Sequence, residues 1–513
     1  MLEREALLLL NAHGTYRTLL GSVAVLIVAR IVWLLARPFL VEYRFPKLPI
    51  VLADEFKSAK ERSRQYTNDS SRVLCHGYRQ FPGQPFELST TEGTSIVIPP
   101  SYLDQLRGQK ALSFGAFLDE EFAFKSYTKL GNLDEDQINI LVKKLNPTLP
   151  QYVPVIQQLI QQHWPLQKFQ DYQAVKLHPH VHLLASRISA RTFQGSDAAN
   201  DDKWLDIATC YINLAIEWTN GLREWSTPLR PFVYTWLPGW ADLRKKWDEG
   251  RDIIRETLRK RKAKGGHSLD DPPSFMDFLI DSDEHPGAAD DVEKQLVVQM
   301  QLCVAAIQAM SSSTMQCLID LATHNDILPE LRAEIRQVTE KHGGVVTKQG
   351  LSEMLKLDSF VKETQRLNSQ DLTTMQRKAT ADLRLPNGMF IPKGTKVILP
   401  SIAINLDEDI FEDAQRFDAL RFYRSRMSSE DKKTSHQLVS VGKKDLGWGY
   451  GKHACPGRYM ADVIVKLLLI EFILNYDIRN VDGHSGRPKN IEIEGLCIPD
   501  PECEIMLRAY RQT

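Results

Sequence analysis

No excess of either charge sign marks this chain: 64 Lys and Arg stand against 65 Asp and Glu, a formal net charge of −1. Without a basic field there is little to hold a polyanion, so nucleic acid is not expected as a partner. Paired cysteines are missing too. The seven present (Cys75, Cys210, Cys303, Cys317, Cys455, Cys497 and Cys503) are scattered, with no Cys-x-x-Cys among them. That argues against a disulfide framework or a zinc cluster and fits a reducing compartment. One of them is then free to act as a lone ligating thiol. The sequence also lacks internal repeats, low-complexity tracts and a dinucleotide-binding fingerprint. Nor does any linker long enough to divide the chain follow residue 56. One large domain over residues 51–513 is the simplest organisation for a chain that is 43% hydrophobic.

The first fifty residues differ in kind. Leu19 to Ala36 is apolar apart from Ser22 and Arg30, and Leu7 to Leu10 forms a shorter apolar run before it. A stretch of about 18 residues is near the lower limit for crossing a bilayer, and Arg30 makes insertion costlier unless it snorkels. Arg37, Arg44 and Lys47 follow the segment, which places the large C-terminal part in the cytosol. No small-residue cleavage site stands out, so residues 1–50 read as a retained single-pass anchor. A buried or interfacial amphipathic helix is the alternative. Pro38, Pro46 and Pro49 then suit a stiff connector.

Most of the remaining chain carries helical periodicity. Gln151 to His163, Lys203 to Leu222 and Asp242 to Lys264 repeat apolar residues at three- and four-residue spacing. Asp290 to His324 holds no Gly or Pro and predicts a helix of roughly 50 Å through the domain centre. Strand signals come late: Leu383–Leu385 and Met389–Ile391 around Pro386-Asn387-Gly388, then Val397–Leu399, then Ile491 to Met506 around Pro499 and Pro501. The predicted class is mainly α with a small β portion.

The stretch with the most chemistry in it is Gly447-Trp448-Gly449-Tyr450-Gly451-Lys452-His453-Ala454-Cys455-Pro456-Gly457-Arg458. Alternating glycines allow a tight backbone under a flat cofactor. Pro456 suits the start of the apolar helix that follows, Tyr459 to Leu474. A cysteine ahead of a helix feels the positive end of its dipole, which favours thiolate, and loop N–H groups can bond the sulfur. A buried structural cysteine, or a Cys-Pro haem-sensing site, are the other readings of these residues. The stretch resembles the signature of the cytochrome P450 superfamily, with Trp448 in place of the usual Phe and His453 in place of the commoner Arg. The His form followed by Cys-Pro-Gly-Arg resembles fungal secondary-metabolism members, among them oxygenases acting on gibberellin precursors and indole diterpenes.

Further motifs support the resemblance in order and distance. Glu363 and Arg366 lie three apart on a predicted helix and share a face. Glu61/Arg64 and Glu256/Arg259 have the same spacing and read as surface pairs. Phe417-Asp418-Ala419-Leu420-Arg421-Phe422 follows at the distance at which the family places its Phe-x-x-x-Arg-Phe element. The resemblance implies that Cys455 ligates the iron of haem b, and that Glu363, Arg366 and Arg421 form a buried charge network behind the cysteine loop. It assigns Trp448, Gly449 and Gly451 to that loop and His453 and Arg377 to the haem propionates. The Trp-x-x-x-Arg helix of many relatives is absent from Leu133 to Pro147.

On the long helix, Ala305 to Ser311 aligns with the family's oxygen-binding groove. Gln308 replaces its acid and Ala309 its threonine, a pair that ordinarily helps deliver protons during dioxygen activation. Ser311, Ser312 or Ser313, an ordered water, or a substrate hydroxyl is the expected substitute. Family position implies substrate contacts at Ile307, Met310, Leu372, Thr373 and Cys497, hence a hydrophobic guest such as a terpenoid, alkaloid or polyketide. The implied activity is oxygen insertion from O2 into a C–H bond, or desaturation. Electrons would come from NADPH through a separate NADPH-cytochrome P450 reductase on the endoplasmic reticulum membrane. Lys443, Lys444, Lys452 and Arg458 flank the cysteine loop and are candidates for docking it. Two other activities remain open at this point: a haem-thiolate isomerase or dehydratase that does not use O2, and a non-catalytic haem sensor.

Overall fold

The computed structural model describes Val25 and residues 48–164, 169–266, 271–428, 436–483 and 486–511. Apart from Val25, the Leu19 to Ala36 segment lies outside the described residues. The architecture is mainly helical with a small β portion. Its axis is the helix Val292–Thr323, capped by the Asp291 carboxylate, which accepts from the Lys294 N–H at 2.9 Å. Helices His178–Phe193, Trp240–Lys264 and Arg458–Asn475 pack around it. Among the described residues this is the one helix long and apolar enough to cross a membrane, and 67% of its most apolar window is buried inside the protein. It is therefore a core helix. The predicted helices over Gln151–His163, Lys203–Leu222 and Asp242–Lys264 are present with boundaries shifted by one or two residues.

A five-stranded sheet runs in the order Phe86–Thr90, Gly93–Val97, Lys396–Leu399, Thr374–Ala379, Leu112–Ser113. The pair Gly93–Val97 with Lys396–Leu399 is parallel and the others are antiparallel. Leu383–Arg384 and Phe390–Ile391 form the predicted hairpin. The late strand–turn–strand differs from expectation. Ile491–Ile493 pairs with Leu496–Ile498 across Glu494 and Gly495, whose φ angles are +49° and +85°. Two consecutive positive φ values are what a tight two-residue hairpin demands. Pro499 and Pro501 end that hairpin instead of turning it, because neither offers an N–H to a ladder. Glu504–Ala509 then joins a separate sheet between Gln173–Lys176 and Tyr476–Asn480.

Two buried polar clusters tie the helix Leu355–Leu367 to its surroundings. In one, Lys466 of the Arg458–Asn475 helix donates to Asp358 at 2.6 Å, and Arg426 donates to the other oxygen at 3.0 Å. Burial raises the Asp358 carboxyl, but Lys466 and Arg426 outweigh it and hold the group below the usual carboxylate range. The second cluster, around Glu363, belongs to the site.

Candidate functional site

Three backbone bonds shape the loop Gly447–Arg458. The Cys455 N–H donates to the Trp448 carbonyl at 2.7 Å, Gly449 N–H to Leu446 at 2.9 Å, and Ala454 N–H to Gly451 at 3.1 Å. Gly449 and Gly451 hold φ of +80° and +67°. A Cβ on Gly449 would stand 3.4 Å from the His453 carbonyl oxygen, so the position suits glycine on two counts. Gly447 serves packing: a Cβ there would lie 2.9 Å from Gln365 on the Glu363 helix. The Trp448 indole N–H is held by the Leu438 carbonyl at 2.5 Å, and Arg458 donates to the Cys455 carbonyl at 2.8 Å. Helix Arg458–Asn475 follows at once.

Burial pushes the Cys455 thiol up. The backbone N–H groups of Gly457 and Arg458, which bond its sulfur, pull the other way without winning. The dipole advantage expected for a cysteine ahead of a helix is therefore insufficient alone; metal coordination is what deprotonates such a thiol outright.

The Glu363 carboxylate is fully buried and grips Arg366 with both oxygens, at 2.8 and 2.9 Å. Arg421 donates to the same carboxylate at 3.1 Å, and so does the Asp418 N–H at 3.0 Å. Arg366 spends its remaining donors on the Asn405 and Ala414 carbonyls, both at 2.6 Å. One acid thus fixes two cations and, through them, the chain around residues 405–421. Glu256 and Arg259 have the same spacing but are largely solvated.

A cytochrome P450 family model matches residues 135–506. The chain belongs to this family. Among its relatives are the cytochrome P450 monooxygenases TRI1 of Fusarium sporotrichioides and ntnM of a Nectria species. TRI1 is 31% identical, over 85% of this chain and 80% of its own length; ntnM is 28% identical, over 92% and 90%. The solved structure of a cytochrome P450DA heme domain matches with a TM-score of 0.65 at 18% identity, covering 88% of this chain and 95% of that one, and speaks for the fold. This P450 is accordingly a haem-dependent monooxygenase that uses O2.

The residues present fit the haem. Arg377 is only 6% exposed, and burial pulls its pKa down to about 10. Its Nη1 donates to the Gln376 carbonyl at 2.6 Å and its guanidinium lies 5.2 Å from the Phe114 ring. Among the described residues no carboxylate pairs with it. A buried guanidinium without an acid is costly unless an anion meets it, and a haem propionate is such an anion. His453 stands within the same field: desolvation, then the charges of Arg377 and Lys452, hold its imidazole below the usual range. The segment Leu133 to Pro147, which lacks a Trp-x-x-x-Arg motif, contributes another residue. Asn146 donates to the Pro456 carbonyl at 3.3 Å, and its buried Oδ1 has no partner among the described residues.

The substrate-side expectations need correction. Ala305 is exposed midway along the central helix, and Gln301, Val304, Gln308 and Ala309 around it are half-buried. These positions, three and four apart, make one open stripe. Ile307 and Met310 fall on the opposite side, each 2% exposed in the main core. Ser311 also turns away: its hydroxyl donates to the Gln308 carbonyl at 3.2 Å and meets His182 Nδ1 at 3.3 Å. Ser312 shares the phase of the stripe, and its buried hydroxyl has no partner among the described residues.

A parallel slip occurs on the extended segment 370–372, which pairs with 495–497 through Leu372 N–H to Gly495 and Cys497 N–H to Gln370, both 2.8 Å. Leu372 and Cys497 point together into a second core cluster. Thr373 is likewise buried, its hydroxyl bonded by Gln376 at 3.0 Å. The open face carries their neighbours instead, Asp371 and Leu496, which sit directly opposite each other. Asp371 was legible only as an acid within an otherwise uncharged run after Arg366.

Proposed function

We propose that this P450 inserts one atom of dioxygen into a C–H bond of a hydrophobic secondary metabolite, or desaturates it, using electrons from NADPH delivered by a separate flavoprotein reductase. The observation that carries the reading is Cys455, a half-buried sulfur bonded by two N–H groups of its own loop, in the same site as the acid-free guanidinium of Arg377. Cys455 would hold the haem iron, and Arg377 and His453 the propionates. Glu363, Arg366 and Arg421 would keep the loop in register beneath. When bound, a thiolate-ligated haem supplies the oxygen chemistry, sulfur pushing electron density toward O–O cleavage. The chain's own part is to orient the guest and manage protons. Ala305 and Ala309 leave room on the central helix, while Gln308 and Ala309 offer neither an acid nor a hydroxyl. Ser312 is the nearest hydroxyl on that stripe, and an ordered water or a substrate hydroxyl would complete the route.

Ala309→Thr should therefore improve coupling: less hydrogen peroxide released per NADPH consumed, at equal or higher turnover. Unchanged leakage and rate would count against any missing proton donor at this position.

Membrane attachment through Leu19 to Ala36, with residues 51–513 as a cytosolic catalytic domain at the endoplasmic reticulum, is part of the same proposal. It is supported by a second apolar surface: Trp225, Leu229, Phe232 and Trp236 are 42%, 47%, 74% and 84% exposed within one short segment, as suits contact with lipid. For the reductase, Lys444 and Lys452 are exposed beside the cysteine loop. Lys443 is paired with Asp104 and Arg458 is turned inward. The deciding experiment supplies the full chain with a reductase, NADPH and labelled dioxygen, using compounds selected by a haem spectral shift. One labelled oxygen in a hydroxylated product, or NADPH- and O2-dependent desaturation, is expected. Product formed without NADPH or without O2 would make the enzyme an isomerase or dehydratase instead.

A further inference from the structure

Asp371 combines two properties that seldom coincide. Its side chain is accessible, yet protein surrounds it closely enough that burial alone pushes its carboxyl up to about 6. A side chain lining an interior hollow has this signature. The backbone around it says which way it points. Segment 370–372 is extended and paired with 495–497, and Leu372 and Cys497 fill the core on one face. Alternation along a strand sends Asp371 and its cross-strand neighbour Leu496 to the other face. The Asp371 carboxylate also lies near enough to Cys455 for its charge to be one of the influences that raise that thiol.

The carboxylate has no occupation of its own. The Asp371 main-chain carbonyl accepts from the Ser401 hydroxyl at 3.3 Å, but among the described residues nothing donates to the side chain and no cation pairs with it. At neutral pH it is still mostly ionised. Leu496 beside it is aliphatic, and on the open stripe of the central helix Val304, Ala305 and Ala309 are apolar while Gln301, Gln308 and Ser312 are neutral donors, so none of these residues brings a cation to it. A lone acid in such surroundings is costly without a partner, and the guest is the partner left.

We propose that Asp371 anchors the substrate by its carboxylate, taking a basic nitrogen carried on an otherwise apolar skeleton. This rests on the haem-thiolate reading above and narrows its substrate class from terpenoid, polyketide or alkaloid to amine-bearing compounds. The skeleton packs on Leu496 and the alanine stripe while the charge pair fixes which carbons lie over the site.

The test uses the full-length holoenzyme and three probes of one chain length: dodecyltrimethylammonium, whose quaternary nitrogen cannot ligate iron, dodecanol, and dodecanoate. Affinities are read from the haem absorbance shift. In the natural protein the expected order is ammonium, then alcohol, then carboxylate, with about tenfold or more between the first two. In Asp371→Asn the ammonium should lose that advantage while alcohol binding holds, and Asp371→Glu should keep the ammonium preference. Haem content and the carbon monoxide spectrum of each variant report folding independently. An ammonium-to-alcohol ratio unchanged by Asp371→Asn, or a natural protein that binds dodecanoate as well as the ammonium, overturns the anchor alone. A natural protein that takes up no haem overturns the anchor and the haem-thiolate reading together.

Discussion

Replacing Cys455 with serine should leave a folded chain that has lost its thiolate spectrum and its turnover. The loop does not need the sulfur for its shape. The Cys455 N–H to Trp448 bond, the positive-φ glycines and the Arg458 bond to the Cys455 carbonyl are all backbone features. Serine is smaller and keeps an acceptor for the Gly457 and Arg458 N–H groups. What it cannot supply is a soft anionic ligand. The reduced carbon monoxide band should move away from the thiolate position. Monooxygenase turnover should fall by more than about 100-fold, beyond what losing an outer-sphere partner typically costs. Circular dichroism should change little. A serine variant with an unaltered band and near-normal turnover would remove Cys455 from the iron, and the proposed chemistry with it.

The second large effect is expected at Glu363. Alanine there strands Arg366 and Arg421 together, two cations sharing one fully buried acid. Removing one member of such a buried cluster costs about 3–5 kcal/mol, because the charges left behind remain out of water. Domains are stable by only about 5–15 kcal/mol, so the variant should unfold at markedly lower urea or temperature and be recovered mostly without haem. Glu256→Ala supplies the control. It breaks an ion pair of identical spacing, but one that is well solvated, and should leave the unfolding midpoint where it was. Equal shifts for the two variants would mean that burial is not what gives the Glu363 cluster its weight.

These two residues were legible in the sequence because their surroundings are written locally. Glycine spacing, Pro456 and an apolar run announce the cysteine loop. Order along the chain separates Glu363/Arg366 from look-alike pairs. The helical class, the central helix and the Pro386-Asn387-Gly388 hairpin were legible for the same reason. The misplaced residues share a different fault, one of phase. Ile307 and Met310 are on the right helix but the wrong side of it, while Ala305, Gln308 and Ala309 face the opening. Leu372 and Cys497 are on the right strands, one residue from Asp371 and Leu496. Which side of a helix or strand faces a site depends on what packs against the other side, and those partners are distant in sequence. Ser311 illustrates this, since its direction is set by His182 well over a hundred residues earlier.

The pairing of 370–372 with 495–497 bears on how this enzyme's preferences would change over evolutionary time. Because the two faces of that strand alternate acid and aliphatic, losing or gaining a single codon between Asn368 and Gln370 would turn the segment over. Leucine would enter the reaction chamber and the acid would be driven into an oily interior, where only a protonated form is tolerable. Chemical taste at this wall is thus set by chain length as much as by residue identity. A lineage could move from charged to neutral guests by one small indel, without substituting any of the residues involved.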